Sequence, residues 1–427
     1  MMAKVTFPIH HTFGPLVTPE QWNQAFHLQF KPWRWQEGPE IEELRSNLSQ
    51  SFGMSASLFA TGRDGLLAVL RALELSAGDE VILQGYTCIV VPNAIHAAGG
   101  TPIYVDIDPQ TLNIDLNKIQ TAITPRTKVI ICQHTFGIPV DTKRLRAICD
   151  KRNIALIEDS AHVLPDSGGA NQLSIIQSPT ATEGIGVHGD AVLFSFGRDK
   201  AISGVTGGAI LTRHRALAKR LAEMEKEAEH LSKWQILNLI DYPIRYRFAK
   251  WIWRTGFAKI YLRWMQLLKL LPPIVTKAEK DGKADIIPKK LPNACAILAL
   301  DQLKHLSKLN DRRRKISQIF LQAAKVGEWD IPAGVTQAIA LQKFPIYARS
   351  ADKLRARLKR EQVYLDDGWC DVCVSPRSVS QEAAGYMEGS CPTAEEVTSH
   401  IVTLPTHPTM TEAQARYLVH ALRSYVG

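Results

Sequence analysis

The stretch DAVLFSFGRDKAISGVTGGAIL, residues 190–211, decides the fold because it joins two apolar runs through a glycine-bearing loop. The first run includes Ser195 near its end, and the loop then presents Lys200. Gly207 and Gly208 lead into the second run. A lysine held at a strand end, near walls that exclude water, suits Schiff-base chemistry. The alternative is that Lys200 is a solvated loop lysine, which is the commoner case for a lysine seen alone.

Outward from this stretch, short apolar runs alternate with helical patterns between about residues 55 and 212. The predicted strands are 80–84, 101–105, 128–133, 154–158, 190–196 and 208–212, and the predicted helices between them are 64–75, 89–98, 115–123 and 141–152. Strands that alternate with helices indicate βαβ units and a mostly parallel sheet that is buried on both faces. The sequence therefore predicts an α/β fold.

The length of 427 residues accommodates one large domain and a smaller one. We predict an N-terminal arm over 1–50, a large domain over 51–290 and a small C-terminal α+β domain over 291–427. Charged helical sequence occupies 214–232, and 285–310 is typical of a helix that leads out of the large domain. The last helix is predicted over 412–425, where Thr411 and Gln414 have the spacing of a capping box.

Composition narrows the class of protein without choosing a function. The apolar content of 45% and the charged content of 22% are those of a globular protein, which argues against disorder and fibrous folds. The formal charge of +9 favours anionic partners such as phosphorylated metabolites, nucleic acid or an acidic membrane surface. The N-terminus does not resemble a signal peptide, and we found no apolar run long enough to span a membrane, so we expect a cytoplasmic protein.

The seven cysteines do not suggest a disulfide framework. Cys370 and Cys373 form the single C-x-x-C motif. A zinc site would need a second such pair, so no metal site is predicted and a reducing cytoplasm is expected.

The segment FATGRDGL, residues 59–66, places Gly62 at the start of a predicted helix. Backbone N–H groups at a helix N-terminus form an anion site, and Arg63 is placed to add a charge-assisted contact to a phosphate. The alternative is a tight turn that only begins the helix.

The segment IALIEDSAH, residues 154–162, runs from an apolar strand into Glu158 and Asp159. The carboxyl ends of strands are where α/β sheets place their ligands. A carboxylate there can keep a pyridine nitrogen protonated and so make the ring an electron sink. The alternative is that Asp159 caps a following helix.

Taken together, these segments resemble the DegT/DnrJ family of pyridoxal-phosphate-dependent sugar aminotransferases. The resemblance is strong over 55–215 and weak over 290–425. Connecting segments that also match are GDEVIL…YT…NAI (78–95), VDIDPQTLNID (105–115), TPRTKVI…HTFGIPVD (124–141) and CPTAEEV…LPTHP (391–408). It implies the fold type I of pyridoxal-phosphate-dependent transferases, as in aspartate aminotransferase, with pyridoxal 5'-phosphate as cofactor.

The resemblance also implies roles for individual residues. Lys200 matches the lysine that forms the Schiff base, and Asp159 matches the partner of the ring nitrogen. His162 stands beside the expected phenolic oxygen. The residues expected to bind the phosphate are Gly62, Arg63 and Ser195, with Thr61 and Cys88 as further cofactor-binding residues. Arg63 replaces a usual threonine and Cys88 a common aromatic residue. Related dehydratases have histidine in place of Lys200, so this lysine favours transamination.

The implied function is transfer of an amino group, usually from glutamate, to a nucleotide-linked keto-sugar, for polysaccharide or secondary-metabolite biosynthesis. Family sites are built from two subunits, so a homodimer is expected. A family Asn-Tyr-Arg stretch is replaced here by Pro288-Lys289-Lys290. This departure keeps open a different substrate, either an amino acid or a lipid-linked sugar. A third alternative is a catalytically weak regulatory relative at a membrane, against which Lys200 and Asp159 argue.

Residues 233–275 form an insertion rich in tryptophan, arginine and lysine. This composition suits a membrane interface, but the charges do not gather on one helical face. The insertion is therefore predicted either to make peripheral membrane contact or to pack on the protein, and the two alternatives remain open. Nucleic-acid binding is not predicted, because no nucleic-acid-binding motif accompanies the charge.

Overall fold

The computed structural model describes residues 5–166, 184–271, 273–283 and 287–422. The strands are β1 (Ile9–His10), β2 (Ser55–Phe59), β3 (Glu80–Gln84), β4 (Thr87–Cys88), β5 (Thr101–Val105), β6 (Ile107–Asp108), β7 (Asn113–Ile114), β8 (Thr127–Gln133), β9 (Ala155–Asp159), β10 (Ala191–Ser195), β11 (Gly208–Thr212), β12 (Lys343–Tyr347), β13 (Val363–Tyr364), β14 (Val374–Ser375) and β15 (Ile401–Pro405). The helices are α1 (Pro19–Gln29), α2 (Pro39–Phe52), α3 (Gly62–Ala72), α4 (Val90–Ala97), α5 (Ile119–Ala122), α6 (Thr142–Asp150), α7 (Arg215–Glu227), α8 (Lys233–Trp251), α9 (Phe257–Leu267), α10 (Lys277–Lys280), α11 (Asn293–Lys304), α12 (Leu306–Ala323), α13 (Ala351–Arg360), α14 (Pro392–His400) and α15 (Glu412–Leu422).

A seven-stranded sheet with the order β2-β11-β10-β9-β8-β3-β5 forms the centre of the molecule. Strands β10, β9, β8, β3 and β5 run parallel, whereas β11 is antiparallel to both of its neighbours. All six predicted strands are present, within one or two residues of the predicted bounds. The sequence analysis missed β2, whose short run SASLF is rich in serine and alanine and therefore carries a weak strand signal.

The helix α2 supports the strand that leads to the lysine loop. Its buried side chains, Leu44, Leu48 and Phe52, recur every four residues and so form one face of the helix. They share a core cluster with Phe194 and Phe196. Burial of each of these large side chains stabilises the fold by about 1.5–3 kcal/mol, so α2 holds β10 and the residues after it in place.

The C-terminal part contains the antiparallel pair β12–β15 and helices α12, α13 and α15, which share one hydrophobic cluster. The structure has two helices where one was predicted over 285–310. Helix α11 begins after Pro292 and ends at Lys304, and α12 begins at Leu306. The capping box at Thr411 and Gln414 is present: the Thr411 Oγ1 accepts from the Gln414 amide at 3.2 Å and the Gln414 Oε1 accepts from the Thr411 amide at 2.8 Å. In addition, β1 pairs in parallel with β13, which ties the N-terminal residues to this part.

The insertion divides into two helices with different surroundings. Helix α8 packs against α1 and buries Ile236 and Ile240 in a common cluster. Helix α9 instead exposes more than half of the surface of Phe257, Ile260 and Trp264. Within the described ranges, none of the helices is long and apolar enough to cross a bilayer.

Candidate active site

A cavity of about 460 Å³ lies at the carboxyl ends of β9 and β10, beside the start of α3. It is lined by seven of the eight predicted site residues, namely Thr61, Gly62, Arg63, Cys88, Asp159, Ser195 and Lys200. The carboxyl ends of parallel strands meet at one edge of a sheet. Residues that are far apart in the sequence therefore come together at this edge.

The side chain of Lys200 lies beside the backbone of Gly197. A Cβ built at position 197 would be 3.3 Å from the Lys200 Cγ, 3.9 Å from its Cε and 3.7 Å from the Ser195 Oγ. The loop is closed by the Lys200 amide, which donates to the Gly197 carbonyl at 3.4 Å. The glycine thus leaves room for the lysine stem next to Ser195.

Asp159 ends β9, between partners on β8 and β10. Its Oδ1 accepts a hydrogen bond from the Ala161 amide at 2.9 Å. Burial raises the pKa of the Asp159 carboxyl, and this hydrogen bond and the Lys200 charge oppose the rise. Residues 160–166 form no helix, so Asp159 caps a turn and is not the helix cap that the alternative interpretation required.

The neighbouring Glu158 belongs to the support of the site and does not line the cavity. Its carboxylate accepts from the amides of Gly186, His188 and Gly189 at 2.7, 2.9 and 2.6 Å, and it contacts the His134 ring at 3.2 Å. Successive side chains on a strand point to opposite faces of the sheet. The two adjacent acids therefore face different surroundings, with Glu158 organising the loop before β10.

The start of α3 has the features of a small anion site. Thr61 is the N-cap, and its Oγ1 accepts from the Asp64 amide at 3.1 Å. The first N–H groups of a helix have no partners within the helix. Gly62 packs so closely on Ser195 that an added Cβ would lie 3.3 Å from the Ser195 Oγ. The positive end of the helix dipole, the first backbone amides of α3 and a hydroxyl are therefore close together at the cavity.

Arg63 also lines the cavity, but its guanidinium is directed to other partners. It forms an ion pair with Glu279, and its Nη2 donates to the Ile274 carbonyl at 2.6 Å. Both partners lie on the segment that follows α9. The sequence analysis expected a phosphate contact here and did not foresee these partners.

His162 is the predicted site residue that does not line the cavity. Its ring stacks on Phe136, with centroids 5.8 Å apart, and lies 5.0 Å from the Trp369 ring. The Nδ1 accepts from the Phe136 amide at 3.1 Å. Burial lowers the pKa of His162 well below 6.5, and the nearby Lys200 and Lys343 charges lower it further. The ring is therefore neutral and acts as an acceptor.

Cys88 lies on β4, which pairs with β14 and so brings the C-terminal part against the cavity. Burial raises the pKa of the Cys88 thiol, although the Lys200 and Arg63 charges oppose the rise. All seven cysteines are free, including Cys370 and Cys373. Among the described residues, no group of histidine, cysteine and acidic side chains is arranged to hold a metal ion.

Several cavity residues were missed by the sequence analysis because they come from the insertion or from the residues directly after it. Helix α8 contributes Trp234, Gln235, Asn238 and Leu239, and the segment after α9 contributes Lys269, Pro273, Ile274, Val275, Thr276 and Glu279. The composition of 233–275 suggested a surface role. Only the position of the insertion in the fold shows that it also forms a wall of the cavity.

Comparison with known proteins extends these observations. The family model for the DegT/DnrJ/EryC1/StrS aminotransferase family matches residues 20–237 and 286–423. The fold is similar to that of NtdA from Bacillus subtilis, solved with bound cofactor PMP, at 22% identity and a TM-score of 0.72, over 98% of this chain and 85% of that chain. It is also similar to DesV from S. venezuelae, solved in complex with a ketimine intermediate, at 23% identity and a TM-score of 0.69, over 95% of this chain and 94% of that chain.

A third similar structure is the PMP form of the putative sugar aminotransferase Spr1654 from Streptococcus pneumoniae, at 18% identity and a TM-score of 0.70 over 98% of this chain and 97% of that chain. These likenesses confirm the predicted fold, and the family match covers most of the chain. The protein belongs to the DegT/DnrJ/EryC1/StrS aminotransferase family, whose cofactor is pyridoxal phosphate.

Proposed function

We propose that the protein transfers an amino group from glutamate to a nucleotide-linked keto-sugar, in the biosynthesis of a polysaccharide or secondary metabolite. The observation that carries this proposal is the shared cavity of Lys200, Asp159 and Ser195. It unites a primary amine, a buried carboxylate and an anion site, which are the three groups that pyridoxal phosphate requires. The family membership supports the reaction type.

The residues at the cavity fit this cofactor. Gly62 leaves a space beside Ser195 that a side chain would fill, which suits a phosphate held by amides and a hydroxyl. Asp159 would hold the proton on the ring nitrogen. The raised pKa of its free carboxyl would fall again beside a cationic ring nitrogen, because an opposite charge favours the ionised form.

Lys200 has two tasks in the proposed reaction. Its amine would hold the cofactor at the aldehyde, and with an amino donor bound the same amine would move a proton away from the donor's α-carbon. The bound cofactor supplies an electron-withdrawing ring that weakens this C–H bond. With a keto-sugar, Lys200 returns a proton to the sugar carbon that receives the amino group.

A screen of nucleotide-linked keto-sugars with glutamate, followed by product mass, tests the proposal. We expect one acceptor to gain an amino group and glutamate to bleach the yellow colour of the loaded protein. Bleaching by other amino acids only would favour the second candidate, a reaction on a different substrate. A protein that never binds the chromophore would contradict both candidates and favour a regulatory relative.

The second candidate has one structural observation in its favour. The cavity is lined in part by the apolar side chains of Leu231, Trp234, Leu239, Ile274 and Val275. Apolar walls accept an apolar group more readily than a charged diphosphate. A keto-sugar linked to a lipid would therefore fit, and a parallel assay with a lipid-linked acceptor separates the two candidates by their kcat/KM.

We also propose peripheral membrane contact through α9, with none of its residues crossing the bilayer. The supporting observation is the exposed row Phe257, Ile260, Trp264 and Leu267, which lies along one side of the helix. Lys259 and Arg263 provide positive charge on the same helix for anionic headgroups.

Flotation with vesicles of phosphatidylglycerol and phosphatidylcholine tests this contact. The double change Phe257→Ser and Trp264→Ser should abolish flotation, whereas Met387→Ser, which alters an exposed apolar side chain elsewhere, should leave it unchanged. A parent protein that does not float would end the membrane proposal.

We further propose that the protein is a homodimer in a reducing cytoplasm. Family membership supports the dimer, and the seven free cysteines support the compartment. Analytical ultracentrifugation of the cofactor-loaded protein tests the dimer, and a single species with the mass of one chain would contradict it.

A further inference from the structure

The segment between the two matched parts of the chain, residues 238–285, lies outside the family match. Its end nevertheless forms one wall of the cavity through Lys269, Pro273, Ile274, Val275 and Glu279. A segment that is not part of the common family pattern therefore shapes the site. We call residues 273–279 the cavity wall.

The cavity wall is bound to the part of the fold that the family model matches by side chains of two helices. Arg63, at the start of α3, contacts both the Glu279 carboxylate and the Ile274 carbonyl. Asn93 on α4 donates from its Nδ2 to the Glu279 carbonyl at 2.8 Å. These contacts hold both ends of the wall, which makes it a fixed part of the site.

Glu279 also shapes the wall from within. Its Oε2 accepts from the Thr276 amide at 2.7 Å, and the Thr276 Oγ1 accepts from the Glu279 amide at 3.2 Å, so the two residues form a capping box at α10. The side chains of Arg63 and Glu279 are 18% and 7% exposed. If either partner is removed, the other side chain keeps a poorly solvated charge without a counter-charge. The resulting loss of stability is larger than for an ion pair at the surface.

We propose that Arg63 is a positioning residue for the wall that selects the acceptor, and that it does not serve as a phosphate ligand. The guanidinium is already occupied by two groups of the wall, whereas the anion site keeps the amides of α3 and the Ser195 hydroxyl. The wall lines the same cavity as Lys200, together with Trp234 and Leu239. A sugar acceptor is larger than an amino donor, so we expect binding of the acceptor to depend more on the wall.

This inference rests on the proposed function only for the identity of the acceptor. It predicts that loss of the Arg63–Glu279 pair raises KM for the acceptor and leaves the half-reaction with the amino donor unchanged. A residue that binds the cofactor phosphate would give a different result. Its loss would weaken cofactor binding and slow both half-reactions.

The test compares Glu279→Gln, Arg63→Gln and the double variant, with the exposed Glu396→Gln as matched control. In the cofactor-free protein, hydrogen exchange of the backbone amides of residues 274–283 should become about tenfold faster in both single variants. The double variant should exchange no faster than the single variants, because the effects of two substitutions that remove the same interaction do not add. In the control Glu396→Gln, these amides should exchange at the same rate as in the parent protein.

In the loaded enzyme, both variants should keep the cofactor Kd and the donor half-reaction within about threefold of the parent, while KM for the acceptor rises about tenfold. Unchanged exchange in the variants would overturn the proposal, and so would a loss of cofactor affinity in Arg63→Gln that Glu279→Gln does not share. If no keto-sugar is aminated, the proposed function fails, but the exchange and cofactor measurements still decide the role of Arg63.

Discussion

Gly208 lies against the backbone of Gly62, where an added Cβ would be 2.6 Å from both the Cα and the nitrogen of Gly62. This contact joins the first residue of β11 to the first residue of α3. Because we propose that the cofactor phosphate binds at the start of α3, the pair of glycines sets the distance between the central sheet and the amides proposed to bind it.

Gly208→Ala should therefore disturb both the fold and the site. The methyl group meets backbone, which cannot rotate away, and overpacking of this kind costs about 1–3 kcal/mol. We expect a lower unfolding midpoint in urea and a weaker cofactor Kd. The control is Gly53→Ala, at a left-handed helix end (φ +62°) with no atom within 4 Å of the added Cβ. Its cost should be about 1 kcal/mol with no change in the cofactor Kd.

Lys200→Ala should remove the visible absorbance of the loaded enzyme and all transamination, because the amine that holds the aldehyde and moves the proton is lost. The shape of the cavity is kept, so the protein should remain folded by circular dichroism. The comparison is Lys280→Ala on α10, which should keep both colour and turnover. A fully active Lys200→Ala enzyme would refute the assignment.

Asp159→Asn should still bind the cofactor but form the amine product at least about a hundredfold more slowly. The amide is similar in size, so packing is preserved, but it cannot balance a proton on the ring nitrogen. Single-turnover kinetics with the donor measures the effect. Glu158→Gln serves as contrast, because it should lower the unfolding midpoint by weakening the three amide contacts while the loaded fraction keeps its rate. Normal rates in Asp159→Asn would count against its role.

The buried pair of Lys343 and Asp367, with 2.8 Å between Nζ and Oδ2, makes stability depend on pH. Burial alone would raise the pKa of Asp367, but Lys343 and then His11 hold it well below 3.8. Because the pKa is lowered by folding, the stabilisation is present above the unfolded-state pKa of about 3.9 and is lost as the pH falls below it.

Asp367→Asn should cost about 3–5 kcal/mol at pH 7, since Lys343 would remain buried without its carboxylate. The variant should also lose less stability than the parent between pH 5 and pH 3. Urea unfolding of the cofactor-free protein at both pH values measures this difference. Equal slopes for the two proteins would show that Asp367 does not cause the acid sensitivity.

The sequence predicted the strands of the sheet well because their signal is local. A strand buried in the middle of a sheet must be a short apolar run, and β3 and β11, which are buried along their whole length, were predicted to the residue, as was the edge strand β5. The same reasoning predicted the short helix α5 too long, at 115–123 where the structure has Ile119–Ala122, since a polar surface stretch carries a weak periodic signal.

The candidate site was predictable to the extent that it depends on strand ends. Asp159, Ser195 and Lys200 follow strands of one sheet, so a parallel arrangement brings them to one edge whatever the rest of the chain does. The family resemblance had already assigned Asp159, but only the structure shows that Glu158 supports the loop before β10 and does not line the cavity. The place of His162 in an aromatic cluster needed the structure too, because Trp369 comes from the C-terminal part.

What the sequence by itself determined is the sheet, the loop that carries Lys200 and the family to which they belong, because each depends on residues close together along the chain. Only the tertiary structure decided that Arg63 meets Ile274, 211 positions later, and that the aromatic insertion walls the cavity as well as facing solvent. Such contacts arise from the packing of whole helices against the sheet, and packing depends on the complementary shape of surfaces that no local pattern encodes.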